Sequence, residues 1–182
     1  EPDSASSDPD TSTAHFSLAV ERIDFADGAA SYQDLRITPP LALGITGING
    51  SISKLEYPVA RGPSEIKING HIEGQPFTIE GEGKIMQDPP SSEFTFSSPS
   101  LPLSLFARQL DSRTGNLDFS KANAQVTAKY SISGAEKKSQ ASIVLTGIAP
   151  RKGGTPESTA LAMMSDASGH VALEVETKDN AM

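Results

Sequence analysis

The sequence of 182 residues contains no cysteine and no tryptophan, and aromatic residues make up only 5% of it. The first absence excludes disulfides and thiolate metal sites, so the fold is held by packing and hydrogen bonding alone. It does not place the protein in a compartment. The scarcity of large aromatics points to a thin core built from Ile, Val, Leu and Phe. Basic residues are also in the minority: 15 Lys and Arg against 23 Asp and Glu give a net charge of −8. That balance argues against a nucleic-acid partner, whose phosphates demand a basic surface. No apolar run is long enough to span a bilayer, and no signal-peptide pattern is present.

What the chain does have is glycine (15) and proline (13) in a sequence only 36% hydrophobic, the make-up of a turn-rich β domain. Its length suits one domain, or a piece of a longer protein. It begins with Glu1 rather than Met, as a segment of a longer chain would, so a missing anchor says nothing about a parent protein. Residues 1–14, with Glu1, Asp3, Asp8 and Asp10, offer almost nothing to bury and are expected to be a disordered acidic linker. A β domain is expected over 15–177, with a frayed end at 178–182.

The clearest pattern runs from Ile66 to Ile85. Read as a two-stranded ribbon turning at Gly74-Gln75, it pairs Ile72 with Phe77, Gly70 with Ile79, Ile68 with Gly81 and Ile66 with Gly83 on one face. The other face is polar, with Lys67 opposite Glu82, Asn69 opposite Glu80 and His71 opposite Thr78. Period-2 alternation of this kind predicts a sheet with one wet side. A second ribbon repeats it. With a turn spanning Gly134 to Lys137, Tyr130 meets Ala141, Ala128 meets Ile143, Val126 meets Leu145 and Ala124 meets Gly147, while Gln125, Thr127, Lys129 and Ser131 take the wet side. Large sits opposite small in both, which leaves room for twist and for a helix, a second sheet or a ligand close to the sheet.

Around these ribbons, Phe16 to Ile37 predicts a hairpin turning at Asp27-Gly28, a pair suited to positive φ angles. Its apolar parity changes between Val20 and Ile23 and between Tyr32 and Leu35, so a twist or bulge is expected there. After Pro39-Pro40, Leu41, Leu43 and Ile45 lead into Gly44, Gly47 and Gly50. A phosphate-cradling loop would need a Lys and a following helix, so the stretch reads as a curved, glycine-bearing strand. Phe94 and Phe96 mark a short strand. Leu103, Phe106, Ala107 and Leu110 fall at helical spacing and predict a short amphipathic helix, and a second is expected after Thr155-Pro156, carrying Ala160, Leu161 and Met164. Val171, Leu173 and Val175 form a last strand.

Catalytic signatures are lacking. His15, His71 and His170 stand far apart with no metal-ligand spacing. Glu73, Glu80 and Glu82 supply the carboxylates a glycosidase pair would use, but a polar strand face needs solvated charges in any case. Asp24 to Gly28 lacks the further ligands of a calcium loop and reads as a turn. No G-x-S-x-G elbow is present. No cofactor is implied.

Two stretches carry a resemblance. Thr159-Ala-Leu-Ala-Met-Met-Ser-Asp-Ala-Ser-Gly-His-Val-Ala-Leu-Glu-Val175 resembles a recurrent motif of the AsmA-like bacterial envelope proteins, in their branch long labelled a domain of unknown function: a Leu-rich helix, an Asp-x-x-Gly turn and a strand of the form V/I-x-L-x-V/L. The order of Val20 to Gly28 and then Tyr32 to Pro40 is similar to that family's strand, Asp-Gly turn, strand and Pro-Pro opening. The family strand often ends in Leu-Pro-Val, where Glu174-Val175-Glu176 stands here. Across residues 16 to 177, the resemblance implies a periplasmic module whose parent is anchored in the inner membrane. Its fold would be mainly β: an elongated, twisted, partly open antiparallel sheet with an apolar interior, here with the two short amphipathic helices covering the apolar face.

The function so implied is non-enzymatic: an apolar groove that serves lipid transport or envelope scaffolding. Ile66, Ile68, Ile72, Phe77, Ile79 and Ile85 would face phospholipid acyl chains, and other repeats of the parent or envelope proteins would be its partners. The same face would equally serve as an ordinary core beneath the Leu103 to Leu110 helix. A periplasmic protein- or glycan-binding domain, adhesin-like or peptidoglycan-associated, is the alternative, and a hydrolase would need a His, a carboxylate and a Ser converging in one pocket.

Overall fold

The computed structural model describes residues 16–38, 40–106, 110, 117–150 and 171–180. Ten strands are present among them: β1 (Leu18–Asp34), β2 (Leu41–Tyr57), β3 (Ser64–Ile72), β4 (Gln75–Lys84), β5 (Ser91–Pro102), β6 (Leu117–Asp118), β7 (Asn123–Ser133), β8 (Glu136–Thr146), β9 (Ala149–Pro150) and β10 (Val171–Asn180). Eight of them make one open antiparallel sheet in the order β1-β2-β3-β4-β5-β7-β8-β10. The short strands β6 and β9 pair with each other. The mainly β architecture expected from alternation is thus the observed one.

Both predicted ribbons exist, shifted by two residues. Ile72 pairs with Gln75, so Gly70 faces Phe77, Ile68 faces Ile79 and Ile66 faces Gly81. Glu73 and Gly74 both take positive φ (48° and 81°), the signature of a two-residue type I′ turn that matches strand twist. The β7–β8 ribbon closes over Gly134-Ala135, with Gly134 at φ 60°, so Ala128 faces Ala141 and Val126 faces Ile143. A shift of two keeps every side chain on its face.

The predicted first hairpin is not formed. β1 runs straight through Asp27-Gly28 and pairs along its whole 17 residues with β2, itself 17 residues long. Asp27 does adopt positive φ (54°), but in a bulge where the register shifts around Gly28. Bulges and primed turns share that backbone requirement, and two long intact strands satisfy more backbone groups than a self-folded ribbon does. The glycine-spaced stretch is the expected irregular strand: Gly47 has φ 57°, and the β2–β3 register shifts between Thr46 and Asn49.

Nor do the described residues carry two amphipathic helices over the apolar face. β5 continues to Pro102, and Leu103–Phe106 is a single 3-10 turn. The second expected helix, like the acidic linker, lies outside the described residues. The inward sense of the first stripe survives. Leu103 joins Leu117, Phe119, Ala122 and Ala124 in a buried cluster against which Phe106, Leu110, Val126, Ile143 and Leu145 pack. This core sits at the β7–β8 side of the sheet, where Leu103, Leu117, Phe119 and Ala122, the described core residues between β5 and β7, meet Ala124, Val126, Ile143 and Leu145.

Candidate functional site

The register places one residue from each of the eight strands in a continuous row: Phe25, Gly50, Ile68, Ile79, Phe96, Ala128, Ala141 and Val175. None is polar. Eight strands at the usual spacing make the row roughly 34 Å across, about twice the depth of one leaflet of bilayer hydrocarbon. A neighbouring row on the same face reads Ile23, Ile52, Ile66, Gly81, Phe94 and Tyr130, and turns polar only at Ser139 and Thr177. Their hydroxyls lie 2.5 Å apart.

The opposite face is its complement. The residues next in sequence to the apolar row form a row of their own: Asp24, Ser51, Lys67, Glu80, Thr95, Lys129, Gln140 and Glu176. Every one is polar, and Lys67 lies directly across from Glu80. Beside this row, Lys54 donates to Glu65 at 2.6 Å. That contact holds the Glu65 carboxyl below its usual range and the Lys54 ammonium above its own. The face is solvated and charged along its length, so the sheet has one wet and one apolar side.

Three phenyl rings pave the apolar side. Phe25, Phe77 and Phe94 each stand opposite a glycine, Gly50, Gly70 and Gly81. A Cβ on those glycines would meet the rings at 2.7, 2.9 and 2.6 Å. The rings therefore lie flat over the neighbouring strand, as aromatic side chains do when they shield a strand glycine. At these three glycines, the room that large-opposite-small pairing leaves for twist and for a helix, a second sheet or a ligand is filled by phenyl rings. Phe77 also stacks on Phe96, with centroids 6.0 Å apart.

Five of the six predicted site residues, Ile66, Ile68, Ile72, Phe77 and Ile79, share this face. Ile66 and Phe77 are buried within it, at 8% and 6% exposure, so they form the floor. Ile68, Ile72 and Ile79 remain half-buried. Ile85 stands one residue beyond β4 and is half-buried. The expectation omitted the flanks of the face, where Ile23, Tyr32, Tyr130, Leu173 and Val175 are 39 to 50% exposed. The alternation of β1, β7 and β10 carries that signal.

Residues weighed for other chemistry do not converge. His71 is exposed on the polar face, and His15 and His170 lie outside the described residues. Among the described residues, no three His, Asp or Glu side chains are grouped to hold a metal ion. Asp24 pairs with Arg22 at 2.7 Å. Glu73 acts within the fold, as its N–H donates to the Gly44 carbonyl at 2.9 Å and its carboxylate accepts from the Gly44 N–H. Glu80 and Glu82 stand in the solvated face.

One smaller apolar patch lies on the polar side, at the corner of β1 and β2. Leu18 pairs with Tyr57 and Val20 with Leu55, in register with the polar pair Arg22 and Ser53. Phe16 rests on Tyr57 with ring centroids 6.5 Å apart, and Val59 beyond it is 73% exposed. The parity change between Val20 and Ile23 is therefore no bulge. It is a true switch of the apolar side chains from one face to the other. Comparison with protein-family models, with curated proteins and with solved structures returned no match.

Proposed function

We propose that the chain is a non-enzymatic module of the bacterial cell envelope whose apolar sheet face receives lipid acyl chains, for lipid transport or envelope scaffolding. The observation that carries this reading is the uncharged row from Phe25 to Val175, backed on each strand by a polar residue on the wet face. An acyl chain laid across the strands stays on hydrocarbon for its length, and each methylene removed from water is worth roughly 0.8 kcal/mol. The resemblance to AsmA-like proteins adds a periplasmic setting, a parent anchored in the inner membrane and an elongated groove continued by other repeats. A fluorescent acyl probe tests the face. Ile68→Asp and Ile79→Asp in a folded protein are expected to abolish its binding, and Glu80→Ala on the wet face to leave it unchanged. Equal binding by all three variants would remove the apolar face as the site.

The corner patch of Phe16, Leu18, Tyr57 and Val59 favours the second reading, a periplasmic protein- or glycan-binding domain, since exposed aromatics are what such contacts use. Retained acyl-probe indifference together with binding lost on Tyr57→Ala would select it.

A further inference from the structure

β1 is an end strand, and no described strand pairs with its outer edge. Such an edge presents a row of free N–H and C=O groups, which proteins usually block with charges or bulges. Here the bulge at Asp27-Gly28 interrupts the edge, but before it β1 keeps one register from Leu18 to Phe25, with Glu21 skipped opposite Lys54, whose φ is 57°. This regular stretch carries Ile23, 42% exposed, on the apolar side and Arg22 and Asp24, 61% and 63% exposed, on the wet side. Arg22 and Asp24 pair with each other at 2.7 Å within the strand, and opposite charges two residues apart on one face of an edge strand are also self-complementary between copies. A two-fold axis through the residue between them sets each charge against its opposite in a second copy.

We propose that two copies of this chain pair antiparallel through the β1 edge about a two-fold axis at Ile23. The charges select that register. Only an even sum of residue numbers keeps facing side chains on the same side, so the axis passes through a residue. Placed on Glu21, Arg22 or Asp24, it stacks a like charge on its own copy, which is unfavourable. Placed on Ile23, it sets Arg22 against Asp24 of the second copy twice and Ile23 against its own copy on the apolar face, with Glu21 opposite Phe25. The part of the regular stretch that is symmetric about Ile23 is Glu21 to Phe25, so the pairing ends where the bulge begins. The result is one sixteen-stranded sheet whose apolar side is joined across the seam by Ile23, with the exposed Glu21 of each copy beside Phe25 of the other. The proposal is independent of the lipid reading, since it uses only the edge and its charges.

Because the chain has no cysteine, a single introduced one is unique. Facing residues in an antiparallel pair stand about 5 Å apart at Cα, within disulfide reach, whereas Val20 and its own copy would be about 20 Å apart. Mild oxidation is expected to crosslink Ile23→Cys and not Val20→Cys. Sedimentation analysis across a concentration series should show a dimer for the wild type, its loss in Asp24→Arg, and its return in the double exchange Arg22→Asp, Asp24→Arg. Far-UV circular dichroism checks that each variant is folded. A wild type that stays monomeric, equal crosslinking of both cysteine variants, or a dimer untouched by Asp24→Arg would each overturn the proposal, the last in favour of face-to-face packing.

Discussion

At Gly70 the strand leaves room for one thing, the ring of Phe77 across the ladder. A methyl group there would stand 2.9 Å from the ring and 3.2 Å from the Thr46 carbonyl, so the ring must turn off its site or the strands must part. Gly70→Ala is therefore expected to lower stability by about 1–3 kcal/mol in urea unfolding. Gly62→Ala, with no atom within 4 Å, should stay within about 0.5 kcal/mol of wild type. Charged pairs work differently. Because the Glu65 carboxyl is depressed by Lys54, the stability it adds is present above its unfolded pKa and lost as pH falls through the folded value. Lys54, raised by the same contact, adds stability that is lost only as pH rises through its folded value. The difference in urea midpoint between wild type and Lys54→Met should thus be flat at neutral pH and shrink in acid and in strong base. A difference constant into acid would contradict the pairing. Both residues are solvent-exposed, so salt should reduce it.

Elements show where sequence reading stops. Alternation assigned each ribbon residue to its correct face, because facing depends on parity alone. It could not separate two registers that differ by two residues. That choice belonged to the turns, where Glu73-Gly74 and Gly134-Ala135 close over two residues rather than four. The slip hid the phenyl-over-glycine pairs, since Gly70 was set against Ile79 instead of Phe77. Asp27-Gly28 misled for a related reason: a positive φ suits a bulge inside β1 as well as a turn. The stripe at Leu103, Phe106 and Leu110 marked the right residues as inward while overstating the helix around them. Turn and neighbour are further tied by Glu73, which clasps Gly44 of β2 through both its N–H and its carboxylate. Glu73→Ala is expected to cost about 1 kcal/mol and to speed hydrogen exchange at the Gly44 amide. Unchanged exchange there would mean that the clasp does not hold in solution.

For the whole molecule, the buried core and the open apolar surface share one side of the sheet, since Val126, Ile143 and Leu145, which pack on the core, stand on the same face as Ala128 and Ala141 of the apolar row. The buried cluster of Leu103, Leu117, Phe119, Ala122 and Ala124 belongs to the β7–β8 side, whereas Ile68 and Ile79 lie half-buried in the middle of the apolar face. Phe119→Ala should therefore cost about 3–5 kcal/mol in urea unfolding. Ile68→Asp should cost clearly less, because its side chain is only partly withdrawn from water. A protein that loses more stability at Ile68 than at Phe119 would have its core extended into the middle of the apolar face, where a ligand is assigned here.

Native mass spectrometry of the purified 182-residue chain, followed by lipid extraction, tests the acyl-chain face most directly. The expected result is co-purified phospholipid at a defined stoichiometry, lost in folded Ile68→Asp and Ile79→Asp variants. A clean unliganded mass from every preparation, with no lipid in the extract, would contradict it and leave the apolar row as the inner surface of a structural or partner-binding sheet.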